Sequence, residues 1–193
     1  FLKTLPVAEH MNGLAEIVKC ALIEDPGLLD LLESQAAILM NVSDPEPLVP
    51  FVTRACEIKK KIVEIDEKER GLRRILNFGH TLGHAFEAES DYTIPHGGAV
   101  SMGMTGALIL SEKLGHLPAS DRERIMGFLQ RAGMPVRIPV NLSTEGVISR
   151  MQRDKKKEGK VVHFVLLRRP GMPFVNGGIP VSLIRETIEG LKR

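Results

Sequence analysis

A chain of 193 residues, 43% apolar and 26% charged, has the composition of an ordinary globular protein and enough length for one well-buried core. Its 26 basic and 24 acidic residues leave a formal charge of +2, too little to favour nucleic acid or a membrane surface, and 4% aromatics without tryptophan argue against stacking on bases. No apolar run is long enough to span a bilayer, and Cys20 and Cys56 lack metal-type spacing, so they read as reduced thiols of a cytoplasmic protein.

The start at Phe1, without an initiator methionine, suggests a fragment or a processed chain. From Glu9 to Ile23, Met11, Leu14, Ile17, Val18, Ala21 and Leu22 recur at helical spacing, and Asp25-Pro26 ends that helix and caps the next. Leu28, Leu29, Leu32, Ala36, Ala37 and Leu39 predict a second helix to about Met40, followed by a polar, proline-rich connector over 41–47. A third helix turns Phe51, Val52, Ala55, Ile58 and Ile62 inward and runs into the charged stretch 64–70, where Gly71 resets the chain. One helix is expected from Leu72 to Glu89, then a break at 92–95. The run from His96 to Leu114 is so rich in Gly, Ala, Ser and Thr that neighbouring helices can approach closely, which predicts a buried central helix. Ser120 is expected to cap a helix ending at Gly133, and Ser143 a shorter one to Arg153. The tail changes character: 161–167 and 173–175, around Arg168-Arg169-Pro170-Gly171, predict a hairpin, and Pro180 opens a last helix. The expected fold is mainly α, a multi-helix domain with a small β-hairpin near its C-terminus. The glycines at 97, 98, 103 and 106 have neither the spacing nor the preceding strand of a nucleotide-binding fingerprint.

The most informative stretch is Leu76-Asn77-Phe78-Gly79-His80-Thr81-Leu82-Gly83-His84, with His96-Gly97 downstream. His80 and His84 lie four apart, on one helical face. That is zinc-protease spacing, but Thr81 stands where the protease needs its glutamate base, which removes that reading. Alone, such a pair beside glycines is as readily packed structure as ligand. Glu16, with Lys19 one turn later among apolar residues, reads by itself as a rim ion pair. Lys59, Arg73, Arg74 and Lys155-Lys156-Lys157 are either solvated surface or the basic side of a pocket for a phosphorylated, carboxylated substrate. Spacing leaves these alternatives open.

Phe1-Leu2-Lys3-Thr4-Leu5-Pro6, Gly13-x-Ala15-Glu16-x-x-Lys19, Lys59-x-x-x-Val63, Glu69-x-Gly71-x-Arg73-x-x-Leu76-Asn77-x-Gly79-His80-Thr81-x-Gly83-His84-Ala85-x-Glu87, His96-Gly97-x-Ala99-Val100-x-x-Gly103-Met104 and Asp154-Lys155-Lys156, in this order, resemble the 3-dehydroquinate synthases over most of the chain. The resemblance implies that 1–193 is the helical zinc- and substrate-binding C-terminal domain of such an enzyme, with the N-terminal NAD-binding domain absent from this chain. It implies Glu16, His80 and His96 as ligands of Zn2+ or Co2+, a three-ligand set with the open positions that catalytic zinc uses. It implies His84, Lys19 and Glu69 as catalytic residues, and Lys59, Arg73, Asn77 and one of Lys155 and Lys156 as contacts to a phosphorylated sugar acid.

The family converts 3-deoxy-D-arabino-heptulosonate 7-phosphate to 3-dehydroquinate by NAD-dependent oxidation, phosphate elimination, re-reduction, ring opening and aldol closure. By the same resemblance the full enzyme is a cytoplasmic homodimer holding NAD mainly in the other domain, and this chain alone is expected to fold but not to turn over. Related sugar-phosphate cyclases such as 2-deoxy-scyllo-inosose synthase share the framework. The helical domain of a metal-dependent alcohol or glycerol dehydrogenase would favour Asp at position 16 and leave Asp154-Lys155-Lys156 unexplained, and a non-catalytic assembly module would have no need of the whole ligand set. Gly98 stands where the family commonly has Glu, and Ala8-Glu9 where it has Arg-Glu; neither departure removes a matched metal ligand.

Overall fold

Asp25 separates the first two helices and starts the second: its side chain accepts the N–H of Leu28 at 3.0 Å, capping α2 (Pro26–Ser34) just after α1 (Val7–Glu24) ends, with Pro26 at the first helical position. These elements belong to a computed structural model that describes residues 2–40, 44, 46–68, 71–156 and 161–192, with Leu2 and 153–156 described by backbone alone. The second helix is shorter than its apolar pattern predicts. Gln35 leaves helical geometry, and 36–38 form a single 3-10 turn that delivers the Leu39 carbonyl to Nε2 of buried His10 at 2.7 Å. A helix continued to Met40 would have directed that carbonyl along its own axis.

In α3 (Val49–Ile65), Phe51, Ala55, Ile58 and Ile62 are buried as expected, whereas Val52 faces solvent. The single helix expected over 72–89 is two pieces. A 3-10 segment, Leu72–Asn77, leads into extended Phe78 and then Gly79 at φ +79°, after which α4 (His80–Glu89) begins. A Cβ on Gly79 would stand 2.8 Å from the Met104 nitrogen and 2.9 Å from the Val100 oxygen, so glycine is required by both its left-handed backbone and the next helix's closeness. The break makes His80 the first residue of α4 instead of a mid-helix residue.

The central helix is α5 (His96–Lys113), buried along nearly its whole length. At Gly103 it meets α4 backbone to backbone: a Cβ there would lie 2.0 Å from the Gly79 oxygen and 2.8 Å from the Gly83 nitrogen. The small residues seen in the sequence therefore set the separation of the two helices that carry the histidines.

Ser120 is inside α6 (Ala119–Arg131), not at its cap; Pro118, with φ fixed at −60°, takes the cap position two residues earlier. Ser143 does cap α7 (Thr144–Lys156), accepting the Gly146 N–H at 3.1 Å, and the helix runs past Arg153. The hairpin forms from β1 (His163–Leu167) and β2 (Pro173–Gly177), antiparallel, with His163 opposite Gly177 and Leu167 opposite Pro173. Two side chains pin β1 to the helices: Thr81 Oγ1 donates to the His163 carbonyl at 3.0 Å, and Ser111 Oγ accepts the Leu167 N–H at 3.1 Å. The last helix, α8 (Val181–Gly190), follows Pro180. Among the described residues no helix is long and apolar enough to cross a membrane, and Cys20, buried, and Cys56, exposed, are free thiols.

Candidate metal centre

Three helices each bring one candidate ligand to the same place. Glu16 of α1, His80 of α4 and His96 of α5 each offer a ligand atom, and the three atoms all lie within 4.8 Å of one another. His80 and His96 are each the first residue of their helix, with ring centroids 5.4 Å apart. The third position is fixed by an interlock of α1 and α5. Asn12 Oδ1 accepts the Gly97 N–H at 2.5 Å, and a Cβ on Gly97 would fall 2.6 Å from the Asn12 Cα. Glu16 lies about one helical turn beyond Asn12, so the interlock beside His96 also places Glu16.

Each of the two imidazoles has an acceptor beside its Nδ1. His80 Nδ1 stands 3.2 Å from the Phe78 carbonyl oxygen, and His96 Nδ1 stands 3.1 Å from Glu87 Oε1. A carbonyl or an ionised carboxylate only accepts, so a neutral ring that donates there carries its hydrogen on Nδ1 and leaves Nε2 as the lone pair. His80 Nε2 is 3.5 Å from Glu16 Oε1.

Two lysines converge on Glu16. Lys19 Nζ donates to both carboxylate oxygens at 2.9 and 3.0 Å, and Lys59 Nζ donates to Oε2 at 2.6 Å. Burial alone would raise the Glu16 pKa, but the Lys19 charge and the hydrogen bonds from Lys59 and Lys19 outweigh it and take the carboxyl down to about 2. Burial, then the Lys19 charge, pushes His80 down to about 4, and burial also lowers Lys19. At neutral pH the cluster therefore offers one carboxylate and a neutral His80 imidazole, an oxygen and nitrogen donor set that fits Zn2+ or Co2+. Two lysines against one carboxylate also make the surroundings hospitable to an anion.

His84 is exposed on α4, its ring 5.2 Å from that of His80 and 6.2 Å from that of His96. Arg73 and Asn77 lie on the 3-10 segment that leads into His80. The Arg73 guanidinium donates to the Glu67 carbonyl at 2.9 Å, and its backbone N–H donates to Asp66 Oδ2 at 3.0 Å. Glu69 lies outside the described residues, as do the side chains of Lys155 and Lys156; their backbone ends α7, which packs along α4. The structure thus gathers Glu16, His80, His96, Lys19, Lys59 and His84, with Arg73 bonded to Glu67. Sequence reasoning gave no role to Asn12 or Glu87. The available signal was spacing: Asn12 lies one turn before Glu16, and Glu87 two turns after His80.

Residues 13–157 match the family model described as 3-dehydroquinate synthase C-terminal. A 3-dehydroquinate synthase of Nostoc punctiforme is 38% identical over 192 residues, which is 98% of this chain and 53% of that protein. Among solved structures, a 2-epi-5-epi-valiolone synthase from Streptomyces hygroscopicus subsp. jinggangensis, with NAD+ and Zn2+ bound, matches with a TM-score of 0.86 at 26% identity, over 98% of this chain and 53% of its own. A 2-deoxy-scyllo-inosose synthase complexed with carbaglucose-6-phosphate, NAD+ and Co2+ matches with a TM-score of 0.85 over 97% of this chain and 54% of its own; at 23% identity it speaks for the fold alone. The chain spans about half the length of the relatives it matches.

Proposed function

The chain belongs to the 3-dehydroquinate synthase family, and on that premise we propose that it is the metal- and substrate-binding half of a 3-dehydroquinate synthase, converting 3-deoxy-D-arabino-heptulosonate 7-phosphate to 3-dehydroquinate and phosphate. The observation that carries this reading is the convergence of Glu16, His80 and His96 within 4.8 Å, with the ammonium groups of Lys19 and Lys59 on the same carboxylate. When bound, zinc or cobalt would act as a Lewis acid that acidifies a substrate hydroxyl, and NAD would accept the hydride.

The chain's own residues bind and orient. Glu16 anchors Lys19 and Lys59, and their positive charge lies where negative charge gathers on the substrate. Lys59, Arg73, Asn77 and one of Lys155 and Lys156 hold phosphate and carboxylate by charge-assisted hydrogen bonds, fixing the leaving group for elimination. Lys19 acts at the reacting centre, and Glu69, outside the described residues, takes its catalytic role from the family resemblance. His84, exposed at the edge of the cluster, holds or passes a proton at an imidazole nitrogen. Among the described residues the only strands form an antiparallel hairpin, not a strand that opens into a glycine-rich helix start. In this reading the pyrophosphate of NAD is held by a separate α/β unit, in keeping with a chain that spans about half the length of its relatives.

Phosphate release from the heptulosonate phosphate, with saturating NAD and Zn2+, tests this reading. The chain alone should show none, and turnover should appear when the nucleotide-binding half is supplied. Turnover by the chain alone would contradict the two-unit account. Release from glucose 6-phosphate instead would assign the chain to an inosose-type cyclase.

A further inference from the structure

Glu87 has no part in the chemistry above, yet it is placed to decide whether His96 can serve as a ligand. It lies two turns after His80 on α4, its side chain only 14% exposed, with Oε1 3.1 Å from His96 Nδ1. An imidazole has two nitrogens, and only the one without hydrogen can bind a metal. If the hydrogen sat on Nε2, His96 would turn a donor toward Glu16 and His80 and the centre would lose its third ligand.

We propose that Glu87 is a positioning residue: its carboxylate holds the Nδ1 hydrogen of His96, and so selects the tautomer and ring orientation that complete the metal centre. The inference rests on the proposed metal-centre reading. His80 has the equivalent support from the Phe78 carbonyl, so each imidazole has its Nδ1 hydrogen held by an acceptor. The two supports differ in kind. The carbonyl is backbone and fixed by the break at Gly79, whereas Glu87 is a side chain that bridges α4 to the first residue of α5.

His84, Glu87 and His96 also group within metal-binding reach of one another. A second ion there would use Glu87 and would need His96 to ligate through Nδ1, giving up the hydrogen bond that frees Nε2 for the first site. The geometry therefore favours one metal centre with a carboxylate support over two adjacent ions.

Glu87→Ala and Glu87→Gln, compared with the unmodified 193-residue chain, test this by two readouts. One is the Zn2+ dissociation constant from competition with a chromophoric chelator. The other is the His96 tautomer in the metal-free chain, from long-range 1H–15N NMR correlations, with the metal-free melting temperature as a check on folding. The expected result is an Nδ1–H tautomer in the unmodified chain and an affinity loss of roughly 10- to 100-fold in Glu87→Ala, with a mixed tautomer. Glu87→Gln, whose amide oxygen still accepts, should keep the tautomer and lose less. Unchanged affinity in Glu87→Ala, or a hydrogen found on Nε2 of His96 in the unmodified chain, would overturn the proposal. If Glu87→Ala does not fold, the glutamine variant and the tautomer decide. If the unmodified chain binds no zinc, the metal-centre reading fails while the tautomer still judges Glu87.

Discussion

Asn12 caps a helix that is not its own. Its Oδ1 takes the N–H of Gly97 in the first turn of α5, while its Nδ2 donates to Glu9 Oε2 at 3.1 Å and so holds the amide the right way round. Because Gly97 touches the α1 backbone, Gly97→Ala should destabilise the chain by about 1–3 kcal/mol and weaken zinc binding by pushing His96 away from Glu16. Asn12→Ala should cost about 1 kcal/mol for the orphaned N–H, and Asn12→Asp, which still accepts, much less. Urea denaturation of the metal-free variants measures both.

Lys19 is nearly enclosed, its side chain 4% exposed, and Glu16 is its salt-bridge partner. Glu16→Gln should leave a buried ammonium without its counter-charge, at a cost on the order of 3 kcal/mol of stability, well beyond the loss of a ligand. Lys59 reaches the same carboxylate from a side chain 39% exposed, so Lys59→Ala should change stability by less than about 1 kcal/mol. Equal effects of the two substitutions in chemical denaturation would contradict this ranking.

The metal-free chain should lose stability as pH falls. His80 is held down to about 4 by burial and then by the Lys19 charge, against 6.5 ordinarily, so the unfolded chain takes up its proton first. With the folded value depressed, the contribution is whole above 6.5 and is lost as pH falls to about 4. It amounts to about 3 kcal/mol. Glu16, at about 2 against 4.5 because its lysine partners outweigh burial, acts with the same sign in the lower window. Denaturation midpoints measured across this range should slope downward toward acid, and His80→Gln should flatten the upper part of the slope.

The helices, their order and the hairpin were legible because their causes are local: apolar spacing in α1 and α3, Asp25-Pro26 between α1 and α2, Ser143 before α7, and small residues along α5. The break before His80 was not, because Ile75, Leu76 and Leu82 continue a helical pattern through it. What demands glycine at position 79 is the backbone of α5 at Val100 and Met104, a contact that exists only once the helices have packed. Ser120 misled for a related reason, since a good capping residue stands two positions after a proline that sets the helix start by itself. Spacing alone left His80, His96 and Glu16 ambiguous, and only the family resemblance joined them. Asn12 and Glu87 escaped because each acts on a neighbour distant in sequence, Asn12 on Gly97 and Glu87 on His96.

Titration of the metal-free chain with Zn2+, in competition with a chelator of known affinity, tests the three-ligand centre most directly. The account predicts one equivalent of zinc per chain, weakened by about 100-fold or more in each of Glu16→Ala, His80→Ala and His96→Ala. His116→Ala should leave it unchanged, because that ring packs on Phe174 of the hairpin at 4.8 Å. Zinc held with unaltered affinity after loss of His80 or His96, or no stoichiometric zinc in the unmodified chain, would contradict it.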